Sequence, residues 1–120
     1  MLTKEDIIRK YNQVELDFLV GHGAALVMRG LREATRDIDG SVPRLAFERL
    51  DEEPQVIKSH EVIPDYEGVE GLDMHPYDDT KVYTTIEGIK VATLDQIIKD
   101  KKKLGREKDL EQIELIRRSC

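Results

Sequence analysis

A chain of 120 residues with a formal net charge of −6 is long enough for one domain built on a single core. It is too acidic for a general nucleic-acid binder, which needs a basic face to release phosphate counterions. No apolar run approaches the roughly 20 residues of a membrane span, and Met1 to Lys10 lack the apolar body of a signal peptide. The only cysteine is Cys120, which excludes an internal disulfide and a thiolate metal site and makes a cytoplasmic setting the expectation.

The charge is unevenly spread. Acids dominate from Glu48 to Asp79, where Arg49 and Lys58 are the only bases, whereas Lys99 to Arg118 is rich in lysine and arginine. Two solvated faces explain this pattern. A basic patch for polyphosphate or RNA beside an acidic metal site explains it too.

In chain order, Thr3 followed by Lys4, Glu5 and Asp6 reads as a helix start, with the hydroxyl as cap and acids in the first turn. Ile7, Ile8 and Tyr11 then share a face, so the spacing predicts a helix over 4–13. Leu16 to Val20 is a short apolar run that stops at glycine, as a buried strand does. Gly21-His22-Gly23 turns it into a helix made of Ala24, Ala25, Leu26, Val27 and Met28, closed by Gly30. A strand is predicted over 34–42, with Thr35, Asp37 and Asp39 on one face and Arg36 and Ile38 on the other.

Pro43 allows a further helix, given an apolar side by Leu45, Ala46, Phe47 and Leu50. Val56-Ile57 and Val62-Ile63 read as strand fragments, and Pro64 to Gly68 as a turn or loop. Strands are expected over 69–75 and 81–86, and Glu87-Gly88 turns the second into Ile89-Lys90-Val91. Thr93 to Gln96 has the spacing of a capping box for the next helix. Gly105 separates that helix from the last, in which Leu110, Ile113 and Ile116 share a face. Helix, strand, helix, strand, helix, several strands and two helices make an α+β or mixed α/β domain spanning residues 1–120.

The chemistry concentrates in Phe18 to Asp39. An apolar run ending in a glycine turn directs backbone N–H groups to one spot, as a phosphate requires. Asp37 and Asp39, two residues apart on a strand, send both carboxylates to one face, where they can hold a divalent cation. Taken alone, Asp37-Ile38-Asp39 is also what an edge strand carries to face water.

Gly21-His22-Gly23, followed by Arg32, Thr35, Arg36 and Asp37-Ile38-Asp39, resembles the signature of the minimal nucleotidyltransferases, in the superfamily that includes DNA polymerase β. Thr93 to Ile98 and Gly105 to Leu110 are similar to the closing helices of the same small bacterial and phage proteins, nucleotidyltransferase-like toxins among them. The resemblance touches both ends of the chain and leaves residues 43–68 unmatched. It implies a nucleotidyltransferase-like fold, a small mixed sheet flanked by helices. It also implies a triphosphate gripped at Gly21, His22 and Gly23, and a Mg²⁺ or Mn²⁺ pair held by Asp37, Asp39 and a third acid on a neighbouring strand. Arg32 and Arg36 are near enough in sequence either to contact the phosphates or simply to pair with surface acids.

For that third acid we choose Asp73, an acid between the core residues Leu72 and Met74, over Glu70 and Glu87. His75, on the face of Asp73, either borders the site or simply faces solvent. The implied activity is transfer of a nucleoside monophosphate from an NTP to a hydroxyl of RNA, a protein or a small molecule. The alternative is a catalytically inactive binding module, such as a toxin–antitoxin component or a phage inhibitor of a host complex. Two departures bear on this choice. His22 stands where the family's turn has Gly or Ser, and Gly40 stands where an apolar residue usually follows the second aspartate. The short chain also implies a homodimer or a protein partner that completes the cleft, or loose base recognition.

Overall fold

The computed structural model describes residues 1–119; Cys120 lies outside them. Helix α1 (Lys4–Gln13) begins in a full capping box, with Thr3 Oγ1 accepting from the Asp6 N–H and the Asp6 carboxylate accepting from the Thr3 N–H at 2.9 Å. Ile7 and Tyr11 are its buried residues. The Tyr11 ring packs against Phe18, with centroids 4.5 Å apart, and its hydroxyl donates to Asp17 at 2.9 Å.

Strand β1 (Leu19–Gly21) runs directly into helix α2 (His22–Met28), of which Ala24 to Met28 are all buried. After a loop comes strand β2 (Ile38–Pro43), and Pro43 caps the short helix α3 (Arg44–Glu48). A hairpin of β3 (Gln55–Ile57) and β4 (His60–Val62) and a 3-10 turn (Tyr66–Gly68) lead to β5 (Leu72–Tyr77). Strands β6 (Tyr83–Ile86) and β7 (Ile89–Ala92) form a second hairpin, and helices α4 (Leu94–Leu104) and α5 (Glu107–Ser119) close the chain.

Five strands form one mixed sheet in the order β5-β2-β1-β7-β6, and β3-β4 stands apart as a two-stranded ribbon. Strands β2 and β5 are parallel, as are β1 and β7, while β1–β2 and β6–β7 are antiparallel. This is the mixed α/β architecture expected from the element order. Alternation along β2 and β5 sends Ile38, Gly40, Val42, Leu72 and Met74 to the core. Asp39, Ser41, Asp73 and His75 lie on the opposite, half-buried face.

Several elements are shorter than the sequence predicts, each for a local reason. Strand β2 starts at Ile38 rather than at residue 34, because Thr35 instead bridges to Leu2, with the Leu2 N–H donating to the Thr35 carbonyl at 2.6 Å. Strand β5 starts at Leu72, because Gly71 takes a positive φ of 82° and its N–H is held by the Asp65 carboxylate at 2.8 Å. Strand β6 starts at Tyr83, since the preceding Val82 N–H donates to the Gln96 side chain at 3.0 Å. That same bond leaves only half of the predicted capping box at α4. Thr93 Oγ1 accepts from the Gln96 N–H at 3.2 Å, but the Gln96 amide serves Val82 and Asp100. Gly105 separates α4 from α5 as expected, ending α4 in the left-handed conformation, φ 64°.

Candidate active site

Register builds the site. Gly21 on β1 is opposite Asp39 on β2, and Asp39 is opposite Asp73 on β5. Partnered residues on neighbouring strands share a face roughly 5 Å apart, so the glycine turn, the second aspartate and the chosen third acid form one row across three strands. Asp37 lies one residue before β2 and therefore at the mouth of that row.

The turn is tightly built. A Cβ on Gly23 would stand 2.7 Å from Thr35 Oγ1 and 2.9 Å from Arg32 Nη1, so this glycine lets a buried hydroxyl and a guanidinium close on the turn. Arg32 and Arg36 are exposed and make no ion pair among the described residues. Both positive charges act on Asp37. Since Arg36 precedes the regular strand, its side chain is not bound by the alternation that would have turned it away from Asp37. His22 has φ 51°, a left-handed conformation that costs a residue with a side chain more than it costs glycine. Burial is the main force lowering the His22 imidazole below its ordinary range, against the pull of Asp39 and Asp100.

Gly40, the second departure from the family pattern, is explained by packing. A Cβ there would lie 2.8 Å from Phe18 Cδ2, 3.1 Å from Cε2 and 3.3 Å from Met74 Cε. The Phe18 ring, 1% exposed, fills the core space in front of Gly40. The apolar group is thus present, supplied from the loop before β1.

The acids interact. Burial, then the charge of Asp39, pushes the Asp37 carboxyl above its ordinary range. Asp73 is also pushed up, by burial and by the charges of Asp37 and Asp39, against the Asp65 N–H that it accepts at 3.4 Å. Asp39 behaves differently. Burial works to raise it, but the His75 hydrogen bond and the nearby His22, His75 and Lys101 outweigh that and hold it below the ordinary range. His75 Nε2 stands 3.4 Å from Asp39 Oδ1. Burial alone would lower the His75 imidazole, yet its bond to Asp39 and the charges of Asp39 and Asp73 leave it raised.

Three carboxylates that repel one another are a donor set suited to a hard divalent cation, which would relieve the repulsion. Among the described residues no three such ligands converge into a metal-holding cluster, and Asp39 is engaged with His75. Chemically the set fits Mg²⁺ or Mn²⁺; positionally, Asp39 has to exchange His75 for the ion. Of the other acids considered, Glu87 sits in the β6–β7 turn and pairs with Lys4 at 2.7 Å, while the backbone carbonyl of Glu70 accepts from Lys10.

Sequence reasoning missed the group beneath this row. Lys101 on α4 is 4% exposed, donates to the Gln112 side chain, and lies 4.0 Å from Asp109, itself clamped by Arg106 at 2.6 Å. Its charge is felt by both Asp39 and His22. In the sequence it is one lysine in a run of three, and only helical phase separates it from Lys102 and Lys103, which are exposed.

Compared with protein-family models, curated proteins and solved structures, the chain has no match. No helix among the described residues is long and apolar enough to cross a membrane.

Proposed function

We propose that the chain is a Mg²⁺-dependent nucleotidyltransferase that moves a nucleoside monophosphate from an NTP to a hydroxyl of RNA, a protein or a small molecule. The observation that carries this reading is the register row Gly21, Asp39, Asp73, which puts the glycine turn and two carboxylates side by side. Gly21, His22 and Gly23 supply the turn for the triphosphate, and the exposed Arg32 and Arg36 neutralise its charge. Asp37, Asp39 and Asp73 would hold the divalent cations. When bound, these lower the pKa of the attacking hydroxyl and neutralise the leaving pyrophosphate. The acceptor oxygen forms a bond to the α-phosphorus as the bond to the β-phosphate oxygen breaks.

A second reading, an inactive binding module of the same fold, is favoured by one feature: Asp39 is already occupied by His75. Incubating the protein with each labelled NTP, Mg²⁺ or Mn²⁺, and RNA, protein or small-molecule acceptors separates the two. Transfer that is lost in Asp39→Asn and Asp73→Asn supports the enzyme. Absence of transfer under every condition, together with absence of metal-dependent NTP binding, refutes it.

A further inference from the structure

Helices α4 and α5 carry two charged surfaces of opposite net sign whose charges the proposed chemistry does not use. Between the helices runs a groove of about 520 Å³, lined by Leu94, Ile98 and Ile116 and by the charged Asp95, Lys99, Lys102 and Arg117, three cations to one acid. None of these three cations makes a hydrogen bond or ion pair among the described residues, on a chain whose net charge is −6. The outward face of α5 is the converse. Glu107, Glu111 and Glu114 line it together with Leu110, Leu115 and Arg118, three acids to one cation, and Leu110 is 54% exposed. Glu114 pairs with Arg118 at 3.5 Å; Glu107 and Glu111 pair with nothing among the described residues.

We propose that the α4–α5 hairpin is a homodimer surface. The acidic outer face of α5 from one protomer lies in the basic groove of a second copy of this chain, and the reverse contact is made about a two-fold axis. Complementary charge selects this occupant. A two-fold axis, the commonest symmetry of homo-oligomers, makes the contact of ridge and groove reciprocal and closes the assembly at two copies. In each contact Leu110 covers aliphatic floor, and Glu107, Glu111 and Glu114 face Lys99, Lys102 and Arg117. RNA is a poorer occupant, because the floor is aliphatic and offers no aromatic ring on which a base could stack.

Sedimentation equilibrium on the full chain tests this, using two charge reversals: K99E/K102E/R117E in the groove and E107K/E111K/E114K on the ridge. Wild type is expected to show a monomer–dimer equilibrium that weakens as salt rises. Each variant alone, folded by circular dichroism, should dimerise about tenfold more weakly or worse, and an equimolar mixture of the two should restore a 1:1 dimer. A wild type that stays monomeric overturns the proposal, as do reversals that dimerise like wild type. It is also overturned by a mixture of two folded variants that remains monomeric, or by a monomeric wild type whose groove instead binds a single-stranded RNA oligonucleotide.

Discussion

Substituting Gly40 by alanine decides whether this departure from the family pattern belongs to the core or to the site. The φ of Gly40 is not in the left-handed region, so alanine is allowed by the backbone and regains about 0.5–1 kcal/mol through a less free unfolded chain. Against that, the new Cβ would stand 2.8 Å from Phe18 Cδ2, about 0.7 Å inside the optimal carbon–carbon separation. Phe18, Met74 and Ile38 are buried to 1% exposure or less, so the ring cannot swing into solvent. Overpacking of this kind costs about 1–3 kcal/mol, which leaves a net loss of up to about 2.5 kcal/mol and a Tm lowered by up to about 10 °C for a chain of this size. Thermal and urea unfolding of Gly40→Ala, Phe18→Leu and the double variant measure it. A smaller side chain at position 18 should make room, so the double variant should be more stable than the sum of the single changes predicts, by about 1 kcal/mol. Additive effects, or a Gly40→Ala protein more stable than wild type, would refute the packing explanation and return Gly40 to the site.

Three further outcomes are expected. Gly23→Ala should weaken metal-dependent NTP binding by about tenfold while lowering stability by only about 1 kcal/mol, since its Cβ meets the movable end of Arg32 as well as Thr35; calorimetric titration beside urea unfolding separates the two effects. The raised His75 imidazole and lowered Asp39 carboxyl fix the sign of a pH dependence. Their pairing stabilises fully below the unfolded imidazole pKa of about 6.5 and is lost as pH rises through the higher folded value. On the acid side it is lost as pH falls through the carboxyl's lowered value. Both side chains are about one-third exposed, so the pairing is worth less than about 1 kcal/mol; the loss above neutral pH should vanish in His75→Gln, as followed by urea unfolding across pH. Asp109→Ala should cost about 3–5 kcal/mol by leaving Lys101 buried without its carboxylate, whereas Lys101→Met with Asp109→Leu should recover most of it in the same assay.

Features settled within a few residues were legible in the sequence. Thr3 and Thr93 as caps, Gly105 as the break between the last two helices and the burial of Ala24 to Met28 are local matters of hydroxyl, glycine and period, and they stand where they were expected. The strand starts were not legible, because partners outside the strands set them: Leu2 captures Thr35, Asp65 captures Gly71 and Gln96 captures Val82. The site divides in the same way. Asp73 could be picked by its core flanks, and register places it beside Asp39. The contact of His75 with Asp39 depends on how β2 and β5 align, which alternation along either strand does not reveal. Gly40 looked like a change of chemistry because its apolar substitute, Phe18, comes from another part of the chain.

The central claim, that Asp37, Asp39 and Asp73 form one metal and nucleotide site with the glycine turn, is tested most directly by anomalous diffraction from crystals of the chain soaked with Mn²⁺ and a non-hydrolysable NTP. The account predicts manganese density bridging Asp37, Asp39 and Asp73, the triphosphate on Gly21 to Gly23, and His75 displaced from Asp39. Saturating Mn²⁺ and nucleotide that leave His75 on Asp39, with no manganese at the three carboxylates, would contradict it.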